Sequence, residues 1–335
     1  MTSQTEKFLI LGVVMLMVVF GMRVDNASSV KSDVVVKANE MPPYVLDPSD
    51  VLASLSGAVV VSEKSALSTS PLLKSEERHS LPFKRFKNTE APELQLQSAL
   101  VADLESGEVF YELKPDSRWP MASLTKLMTA VISLSGLRLD EVVALDRSDF
   151  RSLPNSFTKS IEPGQMFSIR DLISLLLVSS SNEAAEALAR KFGRDGFMDA
   201  MNERAREWGL QNTYFEDPAG ISSANQSTAT DLKALTRHIN AKYPEIFRTT
   251  KSKSVSILER GSGVWYVFSN TNEFAGETGF LGGKTGYRPD SSGNLISLLQ
   301  KRSRPILIIV LGTEDRFGAT KALWNWFIND FTSGN

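Results

Sequence analysis

Arg118-Trp119-Pro120-Met121-Ala122-Ser123-Leu124-Thr125-Lys126-Leu127-Met128-Thr129-Ala130 is the stretch on which the reading of this 335-residue chain turns. Arg118 to Met121, with its proline, breaks any preceding helix. From there Leu124, Leu127, Met128, Val131 and Leu134 recur at helical spacing. Ser123 therefore stands at a helix start, with Lys126 one turn on and on the same face. Unbonded N–H groups at such a start favour negative charge near the serine oxygen. Lys126 can take the serine proton if it is partly neutral near pH 7, which requires burial or a neighbouring cation to lower its pKa from about 10.4. Lys284 is a candidate for that cation. The chain has no cysteine and only two histidines, His79 and His238, both badly placed for a Ser-His-Asp triad. A serine chemistry without histidine fits far better.

Ser-x-x-Lys alone is weak, because it is expected roughly once in a chain of this length. Two decoys exist, Ser28 to Lys31 and Ser156 to Lys159. The first lies in an aperiodic polar stretch and the second runs at once into Glu162-Pro163-Gly164, so neither holds a rigid nucleophile. Two further motifs lie downstream. Ser168-Ile169-Arg170-Asp171 reads as a capping-box-like start to the apolar helix Leu172 to Val178, and Ser179 to Asn182 is a polar break before a second helical stretch, Glu183 to Lys191. Such a break is well placed to line a cleft. Lys284-Thr285-Gly286 follows Gly282-Gly283 and precedes Tyr287, which suits a strand whose bare backbone lets a ligand approach closely.

Ser123-x-x-Lys126, Ser180-x-Asn182 and Lys284-Thr-Gly286, in this order, resemble the signature of the penicillin-recognising serine enzymes. Their surroundings, Met121 to Ala130, Asp217-Pro-Ala-Gly220 and Gly283 to Tyr287, look like the low-molecular-weight penicillin-binding proteins of the D-alanyl-D-alanine carboxypeptidase family. The likeness runs from about residue 97 to 331. It implies that Ser123 becomes the acyl-enzyme with Lys126 as general base, that Ser180 passes a proton to the leaving amine, and that Asn182 holds a substrate carbonyl. Lys284 and Thr285 would engage the terminal carboxylate, while Gly286 and Tyr287 border the substrate, the backbone N–H groups of Ser123 and Tyr287 forming the oxyanion hole. The resemblance implies no metal and no organic cofactor. The partners it implies are peptidoglycan stem peptides and β-lactam antibiotics.

One residue departs from the pattern: in Asn270-Thr271-Asn272 the best-known carboxypeptidases carry an arginine where Thr271 stands. Three alternatives to a carboxypeptidase follow: an endopeptidase acting on cross-links, a serine β-lactamase, and a non-catalytic penicillin sensor. The β-lactamase needs a carboxylate to activate the deacylating water, for which Glu216 is the candidate although the Glu-x-x-Leu-Asn pattern is missing. The sensor would have no need of the intact Ser123 and Lys126.

The net charge of −2, with charges mixed along the chain, gives a nucleic-acid partner no electrostatic support. Lys7, the apolar run Phe8 to Met22 and Arg23 make residues 1–27 a signal peptide or an N-terminal membrane anchor, so the chain is expected outside the cytoplasm, in the periplasm or cell envelope. Residues 28–92, broken by Pro42, Pro43, Pro48, Pro71, Pro82 and Pro92, read as a flexible linker in which Val34 to Val36 can still dock. Residues 93–335 are then the catalytic domain. Ser98 to Asp103 and Val109 to Leu113 form a hairpin, Asn294 to Leu299 and Pro305 to Leu311 pair near the end, and Val264 to Phe268 and the Lys-Thr-Gly segment add strands. Strands from both chain ends around a helical middle, 123 to 240, give an α+β fold with the site at their seam. The resemblance implies the β-lactamase/DD-peptidase form of it: an antiparallel five-stranded sheet flanked by helices, plus a mostly helical subdomain. The tryptophans, Trp324 and Trp326 among them, read as packing residues.

Overall fold

The structure, a computed structural model, describes residues 34–36, 82–150 and 160–333. The segment 1–27, His79, the decoy Ser156 and the remainder of the linker lie outside the described residues. No helix among the described residues is long and apolar enough to cross a membrane.

Five antiparallel strands make the central sheet: β1 (Ser98–Asp103), β2 (Val109–Leu113), β3 (Phe280–Arg288), β4 (Ser292–Lys301) and β5 (Arg304–Thr313), in spatial order β3-β4-β5-β1-β2. The hairpin expected around Glu105-Ser-Gly107 is present, with Gly107 at φ +79° in its turn. Asp103 pairs with Ile306 and Leu311 with Ser98, which stitches the two ends of the domain together. β5 shows why its sequence is a continuous apolar run: side chains alternate faces, and here both faces are covered. Ile306, Ile308 and Val310 pack with Leu323 and Phe327 of the last helix, whereas Leu307, Ile309 and Leu311 join the core shared with the helical region. Each such side chain contributes about 1.5–3 kcal/mol of burial.

The helices are α1 (Lys126–Gly136), α2 (Ile169–Val178), α3 (Asn182–Phe192), α4 (Arg194–Glu207), α5 (Ala229–Lys242), α6 (Glu245–Lys251) and α7 (Arg316–Asp330). α1 is the hub, packed against α2, α3 and α4. It is buried all round from Lys126 to Ser133, including the polar side chains of Lys126, Thr129 and Ser133, rather than along one apolar stripe. Ser168 caps α2 by accepting from the Asp171 N–H, as its sequence anticipates. His238 lies on α5, stacked on Trp208 at 4.7 Å between ring centroids, and Trp326 packs against Tyr111 and Phe331.

Two segments differ from expectation. The strand observed at Trp265–Ser269 is not part of the central sheet. It pairs with Ser254–Leu258 in a separate hairpin, to which Val34–Val36 adds a third strand. Phe83–Arg85, expected within the linker, is a strand paired with Phe331–Ser333. Phe83 is buried against Phe110 and Phe327, so this aromatic contact carries the fold upstream of residue 93.

Candidate active site

Ser123 sits in one 3-10 turn, Ala122–Thr125, that runs directly into α1 at Lys126. Ala122 has φ +49°, a conformation that costs an alanine about 1–3 kcal/mol and persists only where the surroundings enforce it. Two glycines supply that enforcement. A Cβ on Gly220, itself at φ +80°, would lie 2.0 Å from the Ala122 carbonyl oxygen, and one on Gly286 would lie 2.8 Å from that of Met121. The turn is thus clasped between the Asp217–Gly220 loop and β3, and Tyr287 follows Gly286 beside it.

Lys126 is fully buried, with its Nζ 2.8 Å from Ser123 Oγ, 2.7 Å from Asn182 Oδ1 and 2.6 Å from the Ala219 carbonyl oxygen. The three partners sort the amine's valences. Asn182 Oδ1 and the Ala219 carbonyl only accept, so they take two N–H groups, while the Ser123 hydroxyl both donates and accepts. A neutral Lys126 therefore satisfies both carbonyls and turns its lone pair to the serine proton. Its pKa is lowered to about 7, first by burial, against the charges of Asp217, Glu183 and Glu186, which raise it. Of the two causes that the sequence leaves open, burial and a neighbouring cation, burial is the one that makes Lys126 a base.

Ser180 stands between two helix caps. Ser179 ends α2, and the Ser181 hydroxyl begins α3 by accepting from the Ala184 N–H and donating to Glu183. This places Ser180 at φ +63° with its Oγ 2.9 Å from Lys284 Nζ. Lys284 is also buried and donates to the Thr285 carbonyl at 3.1 Å. Its pKa falls well below the ordinary lysine value through burial, then through the charges of Lys126 and Arg316. Because Lys284 donates to Ser180 Oγ, the Ser180 hydrogen is free to point elsewhere. Thr285 Oγ1 lies 2.8 Å from Thr271 Oγ1, and Tyr287 is 58% exposed at the rim. The fold thus brings together every side chain that the three motifs nominate.

Several participants leave little or no signal in the sequence. Asp217 is buried, and its carboxylate accepts from the backbone N–H groups of Ala219, Gly220, Ile221 and Ser222 and from Asn225 Nδ2. That wrapping presents the Ala219 carbonyl to Lys126. A backbone acceptor leaves no mark on residue identity, although Asp-Pro-Ala-Gly itself is legible. Glu216 is exposed and accepts from the Tyr214 hydroxyl at 3.0 Å, turned from the role a β-lactamase would need. Arg316 belongs to no motif. Its side chain crosses β4 over Gly293, where an added Cβ would meet its Cβ and Cδ at 3.4 Å, and its buried Nε has no hydrogen-bond partner among the described residues. The glycines before the Lys-Thr-Gly motif do not serve the ligand approach expected of them: a Cβ at Gly282 would strike the Phe247 carbonyl oxygen at 2.5 Å and one at Gly283 that of Ile296 at 2.2 Å. They admit α6 and β4 instead.

The family model for D-alanyl-D-alanine carboxypeptidases matches residues 85–315. The chain belongs to this family. It is accordingly a serine-type peptidase of the D-alanyl-D-alanine bond with the β-lactamase/DD-peptidase fold. It is 34% identical over 231 residues to a D-alanyl-D-alanine endopeptidase of Pseudomonas aeruginosa, covering 68% of this chain and 73% of that one. Among solved structures, the D-alanyl-D-alanine carboxypeptidase of Mycobacterium tuberculosis superposes with a TM-score of 0.66 at 25% identity, over 75% of this chain and 99% of the other. Penicillin-binding protein D2 of Listeria monocytogenes in its ampicillin-bound form gives 0.61 at 29% identity, over 69% and 97%.

Proposed function

We propose that this chain hydrolyses the D-Ala-D-Ala bond of peptidoglycan stem peptides outside the cytoplasm, as a carboxypeptidase, and that β-lactams acylate the same serine. The Lys126 contacts carry this reading, since a neutral amine bonded to two carbonyls has one lone pair left and Ser123 receives it. The Ser123 proton passes to Lys126 as Oγ attacks the peptide carbonyl. The backbone N–H groups of Ser123 and Tyr287 receive the oxyanion. Ser180, held by Lys284, gives its hydroxyl proton to the departing D-alanine amine as the C–N bond breaks, and the proton that Lys126 took from Ser123 is relayed back to Ser180, which leaves Lys126 neutral again. Water then attacks the acyl carbonyl with Lys126 as base, and the proton returns to Ser123 Oγ as the acyl C–O bond breaks. Asn182 binds a substrate carbonyl, while Lys284, Thr285 and Arg316 provide the cationic and hydroxyl surface for the terminal carboxylate. Gly286 keeps the strand close to Ser123.

Endopeptidase action on cross-links is a second reading, favoured by Thr271. Its neutral hydroxyl bonds Thr285 where an arginine would reinforce carboxylate binding. Steady-state kinetics on diacetyl-Lys-D-Ala-D-Ala, its C-terminal amide and a cross-linked muropeptide separate the two. A carboxypeptidase turns over the acid faster than the amide, and Thr271→Arg improves the acid further. Equal rates on acid and amide, with faster cleavage of the cross-link, would replace the first reading by the second. If residues 1–27 are retained, they tie the enzyme to the membrane.

A further inference from the structure

Residues 34–36 lie upstream of the family match at 85–315, yet they are paired in register with the catalytic domain. Val34 faces Val267, Val35 faces Tyr266 and Val36 faces Trp265, antiparallel, on the outer side of the strand Trp265–Ser269. The other side of that strand is taken by Ser254–Leu258. Without residues 34–36, a row of N–H and C=O groups would stand unpaired at this edge. The local sequence suits an added edge strand. Three consecutive valines, strong strand-formers, stand between charged neighbours, Asp33 and Lys37, that end the run. Downstream the chain is held again. Phe83–Arg85 pairs with Phe331–Ser333, and the Thr89 N–H donates to Asp330 at 2.9 Å.

From these two attachments we infer that the edge of the Trp265–Ser269 strand is a docking site for the chain's own residues 34–36, so that the chain is fixed to the catalytic domain at two places at or before the start of the family match.

The chain contains no cysteine, which makes thiol pairing a clean test in the purified full-length protein. Residues directly opposite in an antiparallel ladder have Cα atoms about 4.5–5.5 Å apart, within the span of a disulfide. A V34C/V267C protein should close an intramolecular disulfide under mild oxidation at least tenfold faster than V36C/V267C, which is two residues out of register. Adding Val35→Pro and Val36→Pro together, one of which must remove a ladder donor because N–H groups alternate sides along an antiparallel strand, should bring the V34C/V267C pair down to the out-of-register rate. Non-reducing gels and peptide mass spectrometry read the product. Equal rates for the two pairs would overturn the docking. A disulfide-linked dimer in place of the intramolecular product would move the strand onto a second copy and overturn docking within one chain.

Discussion

Acylation of Ser123 should track the neutral fraction of Lys126, and the structure sets the scale. With the pKa lowered to about 7 by burial, about half the lysine is neutral at pH 7, about one part in a hundred at pH 5 and about nine-tenths at pH 8. The second-order rate constant for a fluorescent penicillin should therefore rise about tenfold per pH unit below 7 and level off above about 8. Lys126→Arg keeps a cation and its donors but has no lone pair to offer at any accessible pH. At pH 8 it should lose the 10²–10⁴-fold that a positioned base supplies. Glu183→Gln preserves an acceptor for the Ser181 hydroxyl and removes a charge that holds the Lys126 pKa up, so its acid limb should move to lower pH. Stopped-flow mixing followed by quantification of labelled protein on denaturing gels measures all three. A flat wild-type profile from about pH 5.5 to 8.5, or a Lys126→Arg protein within tenfold of wild type at pH 8, would refute the base assignment.

Ser123→Ala should abolish labelling while Ser156→Ala retains it; labelling of the first at the wild-type rate would remove Ser123 as nucleophile. Lys284→Ala should slow acylation by peptide acid and by penicillin more than tenfold, since a charge-assisted bond contributes about 1.5–3 kcal/mol, and near-normal kcat/KM on the acid would place the carboxylate elsewhere. Glu216→Ala should leave the penicilloyl-enzyme lifetime unchanged, because the residue is exposed and its carboxylate is engaged by the Tyr214 hydroxyl; rapid turnover of penicillin that collapses in this variant would point to a β-lactamase. Gly220→Ala, with its Cβ driven to 2.0 Å from the Ala122 carbonyl and φ at +80°, should cost more than about 2 kcal/mol in urea unfolding and impair labelling; an unchanged midpoint would show that the turn is not clasped there. Unfolded Lys126 keeps its proton to about 10.5 and the folded residue loses it near 7, so the unfolded state holds more protons between those values and stability should rise with pH across that window. The rise is about 1.4 kcal/mol per unit from this residue, and Lys126→Met should show a slope smaller by that amount.

The three motifs are legible because they pair chemistry with local structure. Ser123 follows a proline break, Ser168 caps a helix with Asp171, and Ser179 to Asn182 interrupts an apolar run, and each of these signals sits within a few residues of its consequence. What stays hidden depends on contacts between distant segments. The Ala219 carbonyl, the Gly282 and Gly283 clearances against Phe247 and Ile296, and the path of Arg316 over Gly293 all arise from neighbours far away in the sequence. The pKa of Lys126 belongs to this second group. Residue types name burial and a neighbouring cation as the two possible causes, but choosing between them takes the packing around Lys126. Phe83 shows the same limit, since its place against Phe110 and Phe327 depends on the C-terminal helix.

The pairing of β1 with β5 has a consequence for how the enzyme comes into being. Asp103 meets Ile306 about two hundred residues later in synthesis, so the central sheet is assembled from non-local contacts and its closure falls late in folding. A nascent chain that has emerged past Ser123 and Lys126 still lacks β3, and with it Lys284 and the wall that clasps the turn. Reactivity toward an acylating drug should therefore be absent from ribosome-bound or truncated chains and appear in one step as the last strands join, so that the nucleophile and its carboxylate site become competent together.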